Sequence, residues 1–134
     1  QYCKAIICYN LNQYDEAIDW LNGANKHFDI RYKIQWRFLF VKIYFEKNIS
    51  GGWTAYELLE SFLDSFSVFL RRNEELSANK KASYLNFVRF TKQLMKIYPW
   101  NRYDSKDLDK LRSTISNSNT QGKTWLLEQL KKAG

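Results

Sequence analysis

The chain is poor in the residues that interrupt regular secondary structure. Its 134 residues include one proline and five glycines. A β-sandwich or β-barrel needs a turn signal roughly every eight to twelve residues, and this chain has too few such residues to supply them. Long periodic runs of apolar residues are typical of helices instead. We therefore expect an all-α protein.

Histidine and cysteine are equally scarce. The single histidine, His27, and the two poorly spaced cysteines, Cys3 and Cys8, cannot make a common zinc site. A serine or cysteine nucleophile would have to use His27 as its base, and nothing local marks either cysteine as activated. On a helix, five positions turn Cys3 and Cys8 roughly 140° away from each other. We expect structural free thiols, a cytoplasmic location, no metal, no cofactor and no enzymatic activity.

Long apolar runs are also absent. The most apolar stretch, residues 34–45, contains Arg37 and Lys42 and is shorter than the about 20 residues that cross a bilayer. We expect no transmembrane segment and no membrane partner. The chain begins at Gln1 and not at a methionine, and we expect it to be the end of a longer protein.

Apolar, aromatic and basic residues are abundant. Hydrophobic residues make up 45% of the chain and aromatic residues 17%, enough for a core without disulfides or metals. Twenty-one lysines and arginines exceed fourteen acidic residues, so the net charge is +7. Such a charge favours acidic partners.

Periodicity and turn signals predict a series of helices. Asn12 and Gln13 form the first turn, the glycine pair in residues 47–52 marks a loop, Ser77 precedes the fifth helix, and Pro99 ends it. Asp104 or Ser105 caps the sixth helix, and residues 116–121 form a polar loop. The predicted helices are residues 2–11, 14–26, 31–46, 53–72, 80–98, 105–115 and 123–132.

The first two predicted helices resemble a tetratricopeptide repeat (TPR). Ala5 and Cys8 match the small and bulky positions of the first helix. The second helix opens with Tyr14-Asp15-Glu16-Ala17 and continues with Leu21 and Ala24, as in the family. The resemblance implies an α-solenoid of antiparallel helix pairs. In such a fold, one pair cannot bury its apolar face without stacked neighbours.

The resemblance weakens along the chain. Thirty-four residues after Ala5 stands the bulky Leu39, and the next small-aromatic pair is Ala55-Tyr56. We expect one TPR-like helical domain over residues 1–134: a recognisable repeat in 1–30, a divergent repeat in 31–76 and a helical capping region in 77–134. Residues 85–90 and 125–128 also resemble the C-terminal parts of bacterial repeat proteins.

The resemblance implies a binding surface on the first helix of each pair, where ligand peptides lie in the family. The corresponding positions are Tyr2, Ile6, Tyr9 and Asn10, and on the third helix Lys33 and Arg37 add charge to that groove. The implied function is a non-catalytic protein-protein interaction module that binds a peptide or an acidic protein surface.

Two further sequence patterns are typical of functional sites. Glu57, Glu60 and Asp64 share one face of the fourth helix, where aligned carboxylates serve acid-base work, bind a cation or simply face solvent. We favour a solvated face. Asn48-Ile49-Ser50 fits the sequence of a glycosylation site, although such triplets arise by chance.

A basic stripe provides a second candidate surface. Residues 78–103 contain no acidic residue and six basic ones. Arg89, Lys92 and Lys96 lie at helical spacing, so their charges share one face. That face either binds an acidic protein or phosphates, or it is solvated. The alternative function is therefore a basic helical module that binds nucleic acid through this stripe. The oligomeric state is not predicted.

Overall fold

The computed structural model describes residues 2–23, 29–98 and 104–133. In these ranges the protein consists of seven helices without a strand, which confirms the expectation of an all-α protein. The helices are α1 (Tyr2–Asn10), α2 (Tyr14–Gly23), α3 (Ile30–Ser50), α4 (Tyr56–Arg72), α5 (Ala78–Ile97), α6 (Ser105–Ser116) and α7 (Lys123–Ala133). The predictions for Ala24, His27 and residues 99–103 concern positions outside the described residues.

Most predicted helix ends are within one or two residues of the observed ones, but the end of α3 is not. The helix continues through residues 47–50, which we predicted as loop, and the amide of Gly51 closes it by donating to the Lys47 carbonyl. Trp53, the predicted start of α4, has a φ of 66° and cannot begin a helix. Helix α4 therefore begins three residues later, at Tyr56.

The turn between α1 and α2 follows from local chemistry. Asn12 has a φ of 60°, a conformation that asparagine tolerates better than most residues. The amides of Asn12 and Gln13 then donate to the carbonyls of Tyr9 and Cys8, at 3.0 and 2.8 Å. This hydrogen-bond pattern ends α1 in a Schellman motif. Asp15 and Glu16 lie in the first turn of α2, where negative charge complements the helix dipole.

The chain divides into two compact units, Gln1–Phe62 and Leu63–Gly134, with the division inside α4. In the first unit, α1 and α2 approach closely because Ala5 and Ala17 are both fully buried small residues. Both alanines belong to the core of this unit, together with Leu21, Trp36 and Ile43. The small positions that carry the TPR resemblance are therefore interior positions.

Contacts between the helices give their directions in the first unit. Tyr2 contacts Tyr32 near the start of α3, whereas Tyr9 contacts Glu46 near its end. The contacts advance in the same direction along both helices, so α1 and α3 run parallel. Helix α2 lies antiparallel to α3, since the order of its contacts is reversed.

Two contacts establish that reversal. Asp15, at the start of α2, forms an ion pair with Lys47 near the end of α3. Leu21, towards the end of α2, accepts a hydrogen bond from Trp36 near the start of α3. Helix α3 is apolar around most of its circumference, as expected for a helix between neighbours. Phe62 of α4 also packs against α3, where the centre of its ring is 3.8 Å from that of Phe40.

In the second unit, α7 packs against both α5 and α6. The Phe87 and Trp125 rings are 5.8 Å apart, and Tyr98 donates a hydrogen bond to the carbonyl of Gln129, so α5 and α7 run parallel. A short turn joins α6 to α7, which makes α6 antiparallel to both. Ser77 caps α5, and Asp104 caps α6, through side chains that accept backbone N–H bonds.

Among the described residues, no helix is long and apolar enough to cross a membrane.

Candidate functional site

The four residues predicted to line a groove on α1 divide into two groups. Tyr2, Ile6 and Tyr9 are half-buried against α3 and the core of the first unit, whereas Asn10 is exposed. The hydroxyl of Tyr2 donates to the carbonyl of Gln35 at 3.3 Å. Tyr2 and Tyr9 thus already contact α3, and Ile6 packs against the core of the first unit.

The two predicted basic residues of α3, Lys33 and Arg37, are also half-buried. They lie one helical turn apart, and Nη1 of Arg37 donates to the carbonyl of Lys33 at 3.1 Å. Burial lowers the pKa of Arg37 below its ordinary value. Both charges are therefore partly removed from solvent. At about 100° per residue, Lys33 and Arg37 lie about 100–160° around α3 from Tyr32 and Gln35, the residues that Tyr2 contacts.

A polar cluster that the sequence analysis missed lies at the other end of α1. The carboxylate of Glu46 accepts hydrogen bonds from the hydroxyls of Tyr9 and Tyr14, the latter at 3.4 Å. Burial raises the pKa of Tyr14, and the charge and hydrogen bond of Glu46 raise it further. The members come from three helices, so no local spacing announces the cluster.

A shallow depression of about 410 Å³ adjoins this cluster, at the α1–α2 turn and the end of α3. Its walls include Asp15 and Lys47, whose side chains are 2.7 Å apart. The hydrogen bond that Lys47 donates to Asp15 raises the pKa of Lys47. The depression therefore presents an already paired acid and base.

The basic stripe of α5 is only partly available. Arg89 and Lys96 are exposed, and neither forms an ion pair with a described residue. Lys92 is half-buried and bound to the carboxylate of Asp64 on α4. The guanidinium carbon of Arg89 lies 4.8 Å from the centre of the Phe90 ring. Two cations, not three, remain for an external partner.

The three carboxylates of α4 are exposed, and Asp64 is the one that meets Lys92. Burial, followed by the charge of Glu60, raises the pKa of Tyr56.

Across the part of the chain that the structure describes, no three His, Cys, Asp or Glu side chains lie close enough to hold a metal ion. Cys3 is exposed, Cys8 is buried, and both thiols are free.

The asparagine of the glycosylation triplet, Asn48, is buried and hydrogen-bonded within the fold. Asn48 is 1% exposed, its Nδ2 donates to the carbonyl of Ala55 at 3.2 Å, and its Oδ1 accepts from the amide of Ala55 at 2.9 Å. Both polar atoms of the side chain thus hold the turn before α4. Asn48 is therefore not accessible for modification in the folded protein.

A cleft between α5 and α6 is the second feature that the sequence analysis missed. Its volume is about 340 Å³. Ile97 and Leu111 supply apolar surface, and the other lining residues are polar or charged: Gln93, Asp107, Lys110 and Thr114. The spacing of Lys110 and Thr114 on one face of α6 is a local signal, but only the packing against α7 places that face beside α5.

No protein-family model matches this chain, and neither a curated protein nor a solved structure matches it.

Proposed function

We propose that this protein is a non-catalytic, TPR-like interaction module that binds an acidic protein surface or peptide. The observation that carries the proposal is the exposed basic face of α5, where Arg89 and Lys96 lie seven positions apart without an acidic partner among the described residues. Seven positions are about two helical turns, so the two charges share one side of the helix.

The arrangement of the first unit supports the TPR-like part of the proposal. Helices α1 and α3 run parallel with α2 antiparallel to them, as two successive first helices and one second helix would in stacked helix pairs. Ala5, Ala17 and Leu21, which carry the resemblance, are fully buried. The family would place a ligand along α1 and α3, where Asn10 is exposed and Lys33 and Arg37 are half-buried.

Nucleic acid is the alternative ligand, and the contact between Lys92 and Asp64 weighs against it. A phosphate backbone gains affinity from each cation that it neutralises. Lys92 is already neutralised, and the exposed carboxylates Glu57 and Glu60 lie on the same face of α4 as Asp64. An acidic protein segment needs fewer cations, since it gains affinity from apolar contacts as well.

A pull-down tests the proposal. The immobilised protein is exposed to native-host lysate at about 50 mM and about 150 mM salt, with and without nuclease treatment. The double variant Arg89→Glu, Lys96→Glu removes the basic face. The matched control, Lys106→Glu, Lys131→Glu, makes the same charge change at exposed positions on α6 and α7.

We expect an acidic protein to be retained at both salt concentrations after nuclease treatment, and to be lost only with the double variant of α5. Retention of nucleic acid alone, released at the higher salt concentration, would establish the alternative ligand. Equal retention by the double variant and the control would show that α5 is not the binding surface.

A further inference from the structure

The cleft between α5 and α6 combines an apolar base with positive charge at its rim. Leu111 is buried and Ile97 half-buried, so neither lies freely on the surface. The polar side chains of Gln93 and Thr114 line the same space. An apolar contact area with a few converging polar groups is typical of a binding site.

The charges around the cleft are unbalanced. Lys110 lines it. On α5, Arg89 and Lys96 lie about 40–60° around the helix from the lining residue Gln93, on the side away from Ile97, so they flank the cleft. Asp107 is the acidic residue of the lining. Lys110 and Asp107 therefore line the cleft with one charge of each sign, and Arg89 and Lys96 add two cations beside it on α5.

Other charges on α6 do not change this balance. Asp109 is occupied by Arg112 through a 2.7 Å ion pair. Lys110 and Lys96 form no ion pair with any described residue. The positive charge in and beside the cleft is thus available to a ligand.

We propose that this cleft seats one aliphatic side chain of an extended acidic peptide segment, whose flanking carboxylates contact Lys110, Arg89 and Lys96. The inference rests on the proposed function and names the chemistry of its ligand. The volume of about 340 Å³ is near the lower end of ligand pockets, which suits one side chain with its backbone. None of the six described lining residues is aromatic, so among the described residues the cleft offers no ring on which a nucleic-acid base could stack.

Binding of a defined peptide tests the inference. Fluorescence anisotropy follows the titration of fluorescein-labelled Glu-Glu-Leu-Glu-Glu with the full chain at about 150 mM salt. Lys110→Glu reverses one charge of the cleft, and Thr114→Trp fills its space. The matched controls are Lys131→Glu on α7 and Ser113→Trp on α6, both at exposed positions outside the lining. Circular dichroism checks that every variant keeps its helical content.

We expect each cleft variant to weaken peptide binding about tenfold, and each control to change it less than about twofold. Replacing the leucine of the peptide by serine is expected to weaken binding to the unmodified protein by a similar factor.

Two results would overturn the inference while the proposed function stands. In one, the peptide binds, but only the double variant Arg89→Glu, Lys96→Glu weakens its binding, and replacing the leucine of the peptide by serine does not change its affinity. In the other, the peptide fails to bind although the pull-down retains an acidic protein through α5. If the pull-down also retained no acidic protein through α5, the proposed function itself would be contradicted.

Discussion

The indole Nε1 of Trp36 donates a 2.6 Å hydrogen bond to the backbone carbonyl of Leu21. This bond ties α3 to the later part of α2, and the indole is 8% exposed. The same ring stacks against Phe40 at 5.5 Å and is tilted against Phe62 at 6.1 Å. Trp36 therefore connects α2, α3 and α4 through one side chain.

Replacing Trp36 by phenylalanine should destabilise the first unit. The aromatic contacts are largely retained, but the Leu21 carbonyl loses its indole donor in a buried position, and we expect the free energy of unfolding to fall by about 1–3 kcal/mol. Urea denaturation followed by circular dichroism measures this change. Trp20→Phe, at a half-buried position on α2, is the control, and an equal effect of both changes would contradict the importance of the hydrogen bond.

Asn48→Ala should destabilise the turn between α3 and α4. The substitution leaves the amide and carbonyl of Ala55 without their side-chain partner, and we expect a loss of about 1–3 kcal/mol in the free energy of unfolding. Ser50→Ala destroys the same glycosylation triplet at an exposed position and should cost less than about 0.5 kcal/mol. Chemical denaturation compares the two variants. Similar stabilities would show that Asn48 does not hold the turn.

Ala17→Trp should overpack the contact between α1 and α2. Ala17 is fully buried, so a large ring forces the two helices apart, and we expect a loss of about 1–3 kcal/mol. Asn22→Trp adds the same ring at an exposed position of α2 and should be nearly neutral. Thermal and urea unfolding measure both. A variant at Ala17 that unfolds like the parent would argue against the close approach of these helices.

Alkaline pH should weaken the first unit through Tyr14. Because burial and Glu46 raise the pKa of Tyr14 above its ordinary value of 10.0, folding favours the neutral phenol. That contribution to stability is complete below the unfolded pKa and is lost as the pH rises through the higher folded pKa. We expect the unfolding free energy to fall between about pH 8 and about pH 10.5, and to fall less in Tyr14→Phe.

The comparison with Tyr14→Phe is needed because burial also raises the pKa values of Tyr32 and Tyr56. Their ionisation acts in the same direction, so the substitution reduces the pH dependence without abolishing it. Urea denaturation at the two pH values gives the difference. An identical loss in the parent and in Tyr14→Phe would contradict the role of Tyr14.

The sequence predicted a helix end correctly where the residues at that end determine it. Asn12 ends α1 because its side chain tolerates a positive φ, and Ser77 and Asp104 cap the helices that follow them. The end of α3 was wrong because residues 47–50 are mostly polar and resemble a loop. Lys47 and Asn48 have tertiary partners, Asp15 and Ala55, that no local pattern announces.

The candidate sites also combine features that the sequence predicted with features that depend on tertiary contacts. The stripe of Arg89, Lys92 and Lys96 was visible because helical spacing places the three on one face. Its pairing with Asp64 was not visible, since the two residues are 28 positions apart and meet only when α4 lies beside α5. The cleft of α5 and α6 was missed for the same reason: its two walls come from different helices.

By itself the sequence determined the helical class of this protein and most helix boundaries, because periodicity and capping act over a few positions. The TPR resemblance implied close helix contacts at Ala5 and Ala17, and both residues are buried. Only the tertiary structure decided which polar groups pair with other groups of the protein and which remain available to a partner. It joins Glu46 to two tyrosines and Lys92 to Asp64, and it leaves Arg89, Lys96 and Lys110 without an ion pair among the described residues. The physical reason is that the attraction between charges depends on their distance in space, and residues far apart in sequence come close only in the folded chain.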